Sequence, residues 1–323
     1  MIEKNTCMWI IFDVFVIRYV YSTGCHFHGD IAECVNTNLM EIPNIPGNIK
    51  ELIFTGNNLG TVTNGTFKNV DNARKIWKLI LTANRIVNIS ENAFKSFTKL
   101  TELELSFNKI KENDLKHLLR TISMTHHLYS LRMNNMGSKT INEETFSLLD
   151  KTPAFDLYLM NNNLETFTIN TLSRLQGIKR LNLDNNHISE FKLTTIDTLE
   201  KLEISHNKLN TMPDFCVGNT SNSFTNKLNA LFLNYNQITS IDNCSLKCLS
   251  TLNMLQLERN TITSYPTRFL SNCPHITVLD MRGNIGHYIK VFPLAFASNT
   301  LTVLNIAFDG NAMYIFQSLP NTF

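Results

Sequence analysis

From about residue 50 onward the apolar residues fall in one recurring order, L-x-x-L-x-L-x-x-N-x-L, with Ile, Met or Phe accepted at the Leu positions. Clear copies are Leu100-Leu103-Leu105-Asn108-Ile110, Ile178-Leu181-Leu183-Asn186-Ile188 and Leu252-Leu255-Leu257-Asn260-Ile262. The asparagine position falls at 57, 84, 108, 136, 162, 186, 207, 236, 260, 284 and 309, at spacings of 21 to 29 residues. Nine of these eleven are Asn; the exceptions are Met136 and Asp309. The L-x-L core alternates inward and outward as a short strand does, and one such strand cannot bury its apolar side alone. Successive copies therefore stack. The pattern predicts an α/β solenoid curved like a horseshoe, with a parallel sheet on the concave face and irregular or short helical segments on the convex one.

A further apolar residue about ten positions after each asparagine fills the outer side of the coil: Phe67, Phe94, Leu118, Phe146, Leu172, Ile196, Leu246 and Leu270. The asparagine stands where the chain leaves the strand, and its amide can pair backbone groups that no ladder reaches. Residues 212–226 lengthen one repeat to 29 with polar sequence, which reads as a convex loop.

The first 24 residues differ. Lys4 precedes Met8-Trp9-Ile10-Ile11-Phe12 and Val14-Phe15-Val16-Ile17, and the small residues Ser22 and Gly24 stand before Cys25, the arrangement of a secretory signal peptide over 1–24. Its removal takes Cys7 and leaves six cysteines, Cys25, Cys34, Cys216, Cys244, Cys248 and Cys273, an even number that suits an oxidising compartment. Sequons at Asn64, Asn88, Asn219 and Asn243 point the same way. Offsets from the asparagines place Cys216 near Cys244 and Cys248 near Cys273 on neighbouring turns. Two disulfides follow from that register, with buried free thiols as the competing reading for Cys248 and Cys273.

Composition changes the picture mainly by exclusion. The chain of 323 residues is 43% hydrophobic and 17% charged with a net charge of +2, and 42 of its residues are Asn. Such a chain can bury a large core, but it offers no overall field for a polyanion, so nucleic-acid binding would need a local patch. No phosphate loop, H-E-x-x-H or G-x-S-x-G is present; adjacent His126 and His127 point apart and suit a metal poorly, and His26 and His28, which could pair in a metal site or an acid-sensitive patch, read better as surface histidines of a hairpin. No enzyme, cofactor or metal is expected. What remains is recognition through outward-facing strand positions, with Tyr158, Phe232, Tyr235, Glu258, Arg259 and Arg282 as candidate ligand-binding residues of the concave face.

The stretch Cys25-His-Phe-His-Gly-Asp-Ile-Ala-Glu-Cys34, followed by Val35 to Leu39, Ile42-Pro43, Ile45-Pro46 and the first repeat at Leu52, resembles the N-terminal cap of extracellular leucine-rich-repeat proteins. The two cysteines with eight residues between them and the long, Phe-containing repeats are similar to Toll-like receptor ectodomains. The resemblance implies a cap over 25–48, closed by a Cys25–Cys34 disulfide, and about eleven repeats over 49–323, the last incomplete. It also implies a pattern-recognition ectodomain of innate immunity that binds a protein, glycan or lipid and pairs as a homo- or heterodimer, at the cell surface or in the endosomal lumen. The sequence departs from that family in showing no C-terminal cysteine cap, transmembrane helix or signalling domain, which leads to the expectation of a fragment. The alternative is a secreted adhesion, matrix or decoy protein.

Overall fold

The computed structural model describes residues 24–308 and 311–315, apart from 124–126, 142–144, 147–148, 150–154, 168–176, 192–197, 214, 216–226, 242–245, 247–248, 264–268, 271–272 and 285–299. Residues 1–23 of the expected signal peptide, Cys216, Cys244, Cys248, Asn219, Asn243, His126, Leu172, Ile196 and Asp309 lie outside the described residues.

The described residues open with an antiparallel pair, β1 (His26–His28) and β2 (Ile31–Val35), closed by the Cys25–Cys34 disulfide. β2 then pairs in parallel with the first repeat strand, β3 (Glu51–Thr55). A side sheet takes β4 (Thr61–Val62) and β6 (Asn88–Ile89), while the main sheet continues through β5 (Lys78–Ile80), β7 (Glu102–Glu104), β8 (Ser130–Arg132), β9 (Phe155–Tyr158) and β10 (Ile178–Asn182). It is completed by β11 (Lys201–Glu203), β12 (Ala230–Phe232), β13 (Met254–Gln256), β14 (Val278–Asp280), β15 (Val303–Phe308) and β16 (Asn311–Ile315). The 14 strands follow chain order across the sheet, parallel from β2 to β15. In-register pairing superimposes the central leucines, Leu181 on Leu202, Leu202 on Leu231 and Leu231 on Leu255, so each turn presents the same face. After β15 the rhythm changes: where the repeat would turn out at position 309, the chain returns antiparallel as β16.

The strand leucines, from Leu52 to Leu279, are fully buried, and behind them lie Phe67, Phe94, Leu118, Phe146, Leu246 and Leu270, the outer positions expected from the period. Phe67, Phe94 and Phe97 pack edge-on and tilted, with Phe67 and Phe97 centred 4.7 Å apart. The only α-helix among the described residues, α1 (Glu112–Ser123), buries Leu115, Leu118, Leu119 and Ile122 on one side, the i, i+3, i+4, i+7 spacing of an amphipathic helix. No described helix is long and apolar enough to cross a membrane.

The asparagines join the turns. Asn207 is typical: its Nδ2 donates to Leu183 O of the preceding turn at 3.0 Å and to Ile204 O of its own at 3.2 Å, while its Oδ1 accepts from Ile188 N at 3.0 Å. Asn108, Asn162, Asn186, Asn236, Asn260 and Asn284 repeat the arrangement. Asn108 accepts twice, from Asn84 N and Ile86 N, whereas Asn84 has an Oδ1 with no partner. Met136 keeps the position buried without a rung.

Every residue immediately before a ladder position, from Gly56 to Gly283, has positive φ, between 52° and 68°. This left-handed residue turns its N–H toward the following turn: Phe107 N donates to Asn134 O, His206 N to Asn234 O and Tyr235 N to Glu258 O, all within 2.8–2.9 Å. Gly283 also has a packing reason, because a Cβ there would meet Arg259 Cγ at 2.9 Å.

Cys273 corrects the expected Cys248–Cys273 bridge. Its thiol is free and buried, directed at Leu246 O 3.8 Å away. Burial pushes that thiol up to about 12, so it behaves as a small apolar core residue.

Truncation separates the two kinds of rung. Asn108→Ala leaves two buried N–H groups unpaired and should cost about 3 kcal/mol of unfolding free energy, whereas Asn84→Ala, whose Oδ1 accepts nothing, should cost about half as much. Urea denaturation of both variants checks the ranking. Cys25→Ser should lose about 2–3 kcal/mol through the opened cap loop, measured in the same way.

Candidate functional site

Three side chains per turn stand on the concave face: the residue before the central leucine, the one after it, and the one at the strand exit. Tyr158, the last residue of β9 and the middle of the three concave positions of its turn, is half-buried, with the Arg132 guanidinium 4.2 Å from its ring centre and its hydroxyl donating to Asp156 Oδ2 at 3.4 Å. Arg132 in turn faces Glu104 at 3.8 Å, and Arg180 faces Asp156 at 3.9 Å. Three turns on, Phe232 lies beneath Lys201 Nζ at 4.8 Å, and Lys201 pairs with Glu203 at 2.7 Å. Arg282 donates Nε and Nη2 to Asp280 at 2.9 and 2.7 Å and reaches Glu258 at 3.3 Å. Aromatic rings capped by cations, themselves held by carboxylates, form a preorganised polar surface with apolar islands.

Of the six candidate residues, the structure places Tyr158, Phe232, Glu258 and Arg282 over the sheet. Tyr235 and Arg259, read from the sequence as concave, stand past the strands in the left-handed turns, with φ of 54° and 53°. There they join His206 in a column: the His206 and Tyr235 rings stack at 4.2 Å, and the Arg259 guanidinium lies 5.5 Å from Tyr235. The physical reason is the turn itself, which rotates the residue before the ladder asparagine out to the edge. Of the sequons, Asn64 is exposed and Asn88 half-buried. His26 and His28 lie exposed on β1, their rings 6.5 Å apart.

Sequence reasoning missed a second set of cross-turn rungs at the strand exits. Ser106 Oγ accepts from Asn134 N, Asn134 Oδ1 from Met160 N, Asp184 Oδ1 from Ser205 N and Asn234 Oδ1 from Glu258 N, at 2.6–2.9 Å. The signal was present, since short polar acceptors sit two places before the ladder position in those repeats. Asp184 is the one charged rung. Burial pushes its carboxyl up to about 6 against the pull of the Ser205 N–H, with Glu203 nearby adding to the rise. Burial likewise raises Glu104 and Asp156.

A leucine-rich-repeat profile matches residues 47–110 and 226–285, the clearest stretches of the pattern. The chain folds as a leucine-rich-repeat solenoid. Among relatives, epiphycan of Gallus gallus is 30% identical over 154 residues, 48% of this chain and 45% of that protein. The chain thus spans about half the length of the curated relatives it matches. A Leptospira interrogans leucine-rich-repeat protein shares the fold with a TM-score of 0.59 at 19% identity, covering 86% of this chain and 78% of that one. Toll in its complex with Spatzle, from Drosophila, gives 0.60 at 20% identity over 77% of this chain and 33% of Toll. The likeness to the Toll ectodomain expected from the cap is a likeness of fold. The leucine-rich-repeat coil accounts for both ladders, since each repeat must satisfy its strand-exit backbone by side chains.

The raised Asp184 carboxyl has a signed consequence. Its folded-state pKa lies above its unfolded value of about 3.9, so the folded state binds the extra proton and stability attached to this group falls as pH rises between about 4 and 6. Asp184→Asn keeps the acceptor for Ser205 N–H and removes the buried charge. Its melting temperature should exceed the wild type's at pH 7.5, and the difference should vanish near pH 4, as thermal melts at the two pH values would show.

Proposed function

We propose that this leucine-rich-repeat protein is an extracellular binding protein, of the secreted or matrix-associated kind, that engages a protein partner across the concave face between Tyr158 and Phe232. The observation that carries the reading is the pair of half-buried aromatic rings, each capped by a cation and set in a lattice of paired charges. Aromatic and arginine side chains in such settings dominate protein interfaces. The Cys25–Cys34 disulfide supports an oxidising compartment. The sequence relatives favour the matrix reading over a Toll-like receptor: epiphycan matches by sequence across nearly half of this chain, whereas Toll matches at 20% identity. The Toll–Spatzle neighbour supports a protein as the class of partner, and a receptor ectodomain stays as the second reading on that structural likeness. The activity proposed is recognition.

The test compares the secreted full chain with its Tyr158→Ala, Phe232→Ala double variant for retention on decellularised matrix and on the purified component so retained. Each ring lies outside the buried leucines, so secretion and melting should be nearly normal, while affinity should drop by about tenfold or more per ring. Unchanged affinity would sink the concave reading. Transcript sequence beyond Phe323 that encodes a membrane span and signalling domain would shift the assignment to the receptor.

A further inference from the structure

The cations of the concave face are all engaged: Lys78 with Glu51, Arg132 with Glu104, Arg180 with Asp156, Lys201 with Glu203, and Arg282 with Asp280 and Glu258. A different group is not. Past the ladder position the chain runs along the lateral edge of the coil, where in most turns the residues one and three places further on are exposed. On three successive turns these places hold Arg85, Lys109, Lys111 and Lys139. Among the described residues none of the four has an ion pair or a side-chain hydrogen bond.

Their alignment is set by the backbone. Lys109 N donates to Ile86 O at 2.9 Å and Lys111 N to Val87 O at 3.1 Å, which lays the third turn's edge directly along the second's. Lys139 holds the place three past Met136, and its carbonyl receives Glu165 N at 3.1 Å from the next turn. Hydrogen-bonded chains lie about 4.8 Å apart, so Arg85, Lys109 and Lys111 stand on adjoining edges, and Lys139 holds the equivalent place on the next turn. Among the described residues, the nearby acids Glu112 and Asp114 are engaged: exposed Glu112 accepts from Thr145 Oγ1 at 3.0 Å, and Asp114 accepts from Ile89 N at 3.1 Å. Exposed Glu165 ends the row.

We infer that this lateral edge, Arg85, Lys109, Lys111 and Lys139, is a binding site for a linear sulfated polysaccharide. Four like charges on the adjoining edges of three successive turns repel one another, and an anionic chain lying along the row relieves that repulsion while releasing its counterions. Three of the four are lysines, flexible point charges that pair with the oxyanions of an anionic chain without the fixed geometry of an arginine fork. Sequence-tolerant binding of single-stranded nucleic acid also needs free aromatic faces. Phe107 alone is exposed beside this row, since the His206 and Tyr235 rings further along are stacked on each other. This site is on a different face from the concave surface and does not depend on the function proposed for it.

The test measures binding of the secreted full chain to immobilised heparin, with and without its N-glycans because the Asn88 sequon adjoins Val87. Three or four ion pairs predict that doubling NaCl from about 150 mM weakens binding by roughly five- to tenfold. Replacing all four residues by Gln should weaken it by at least tenfold and flatten the salt dependence. Removing four convex charges instead, Lys68→Gln, Lys75→Gln, Lys95→Gln and Lys99→Gln, should change it less than twofold. Should the first variant melt early, Lys109→Glu with Lys139→Glu carries the same expectation. Fully desulfated heparin should fail to compete. The inference is overturned by an absence of heparin binding at about 150 mM NaCl, by equal loss in both fourfold variants, or by a single-stranded oligonucleotide of matched charge binding as tightly as heparin.

Discussion

The fold depends on how a three-residue strand disposes of the backbone that follows it. Strands as short as Lys201–Glu203 supply few ladder bonds, and the chain leaves them while still buried. Each exit strands N–H and C=O groups away from water, and each such group costs about 1–3 kcal/mol if unpaired. Asparagine answers both needs from one position, because its amide donates and accepts at once. Aspartate could accept but not donate, and leucine could do neither. Asn207 shows the result: one side chain closes Leu183 O, Ile204 O and Ile188 N, binding its own turn to the preceding one. The left-handed residue just before it sends its N–H to the following turn. A repeat is thus satisfied only with neighbours on both sides, which is why the stack is cooperative and a single repeat has no stable form.

That left-handed position has a cost wherever the residue carries a Cβ, on the order of 1–2 kcal/mol. Gly56, Asn135, Asn161, Asn185 and Gly283 keep it small. Phe107, His206, Tyr235 and Arg259 do not, and the last three occupy consecutive turns. Their side chains offset part of the strain by contact, the His206 ring on Tyr235 and the Arg259 guanidinium close by. The column therefore acts as a second, surface-borne link between turns already joined by asparagine inside.

Much of this was legible in the sequence because the period fixes inside and outside together. Leu181, Leu202 and Leu231 had to coincide once the asparagines were aligned, and Phe67, Phe94 and Leu118 had to fill the outer wall. Less legible was anything decided by a dihedral angle. Tyr235 lies two residues past Leu233, which by alternation alone should share the leucine's inward side, and the sequence reading set it on the concave face. In the structure the positive φ breaks the alternation and carries it to the edge. Gly and Asn at half of the equivalent positions were the available sign. Cys273 failed for another reason: offset along the repeat locates a residue in the coil, but whether a thiol there bonds or packs depends on the space around Leu246, which no spacing encodes.

Net charge was the least informative quantity of all. A balance of 29 basic against 27 acidic residues suggests an electrostatically quiet surface, and on the concave face pairing makes it so. Pairing across turns requires opposite charges at the same place in adjacent repeats, as Lys78 stands to Glu51 and Arg132 to Glu104. The lateral edge follows no such rule, because its backbone is already closed by the asparagines and its side chains owe nothing to the fold. A solenoid in this way separates structural from free charge by position within the repeat, and it is the freely placed charge, not the total, that leaves a surface able to attract a partner.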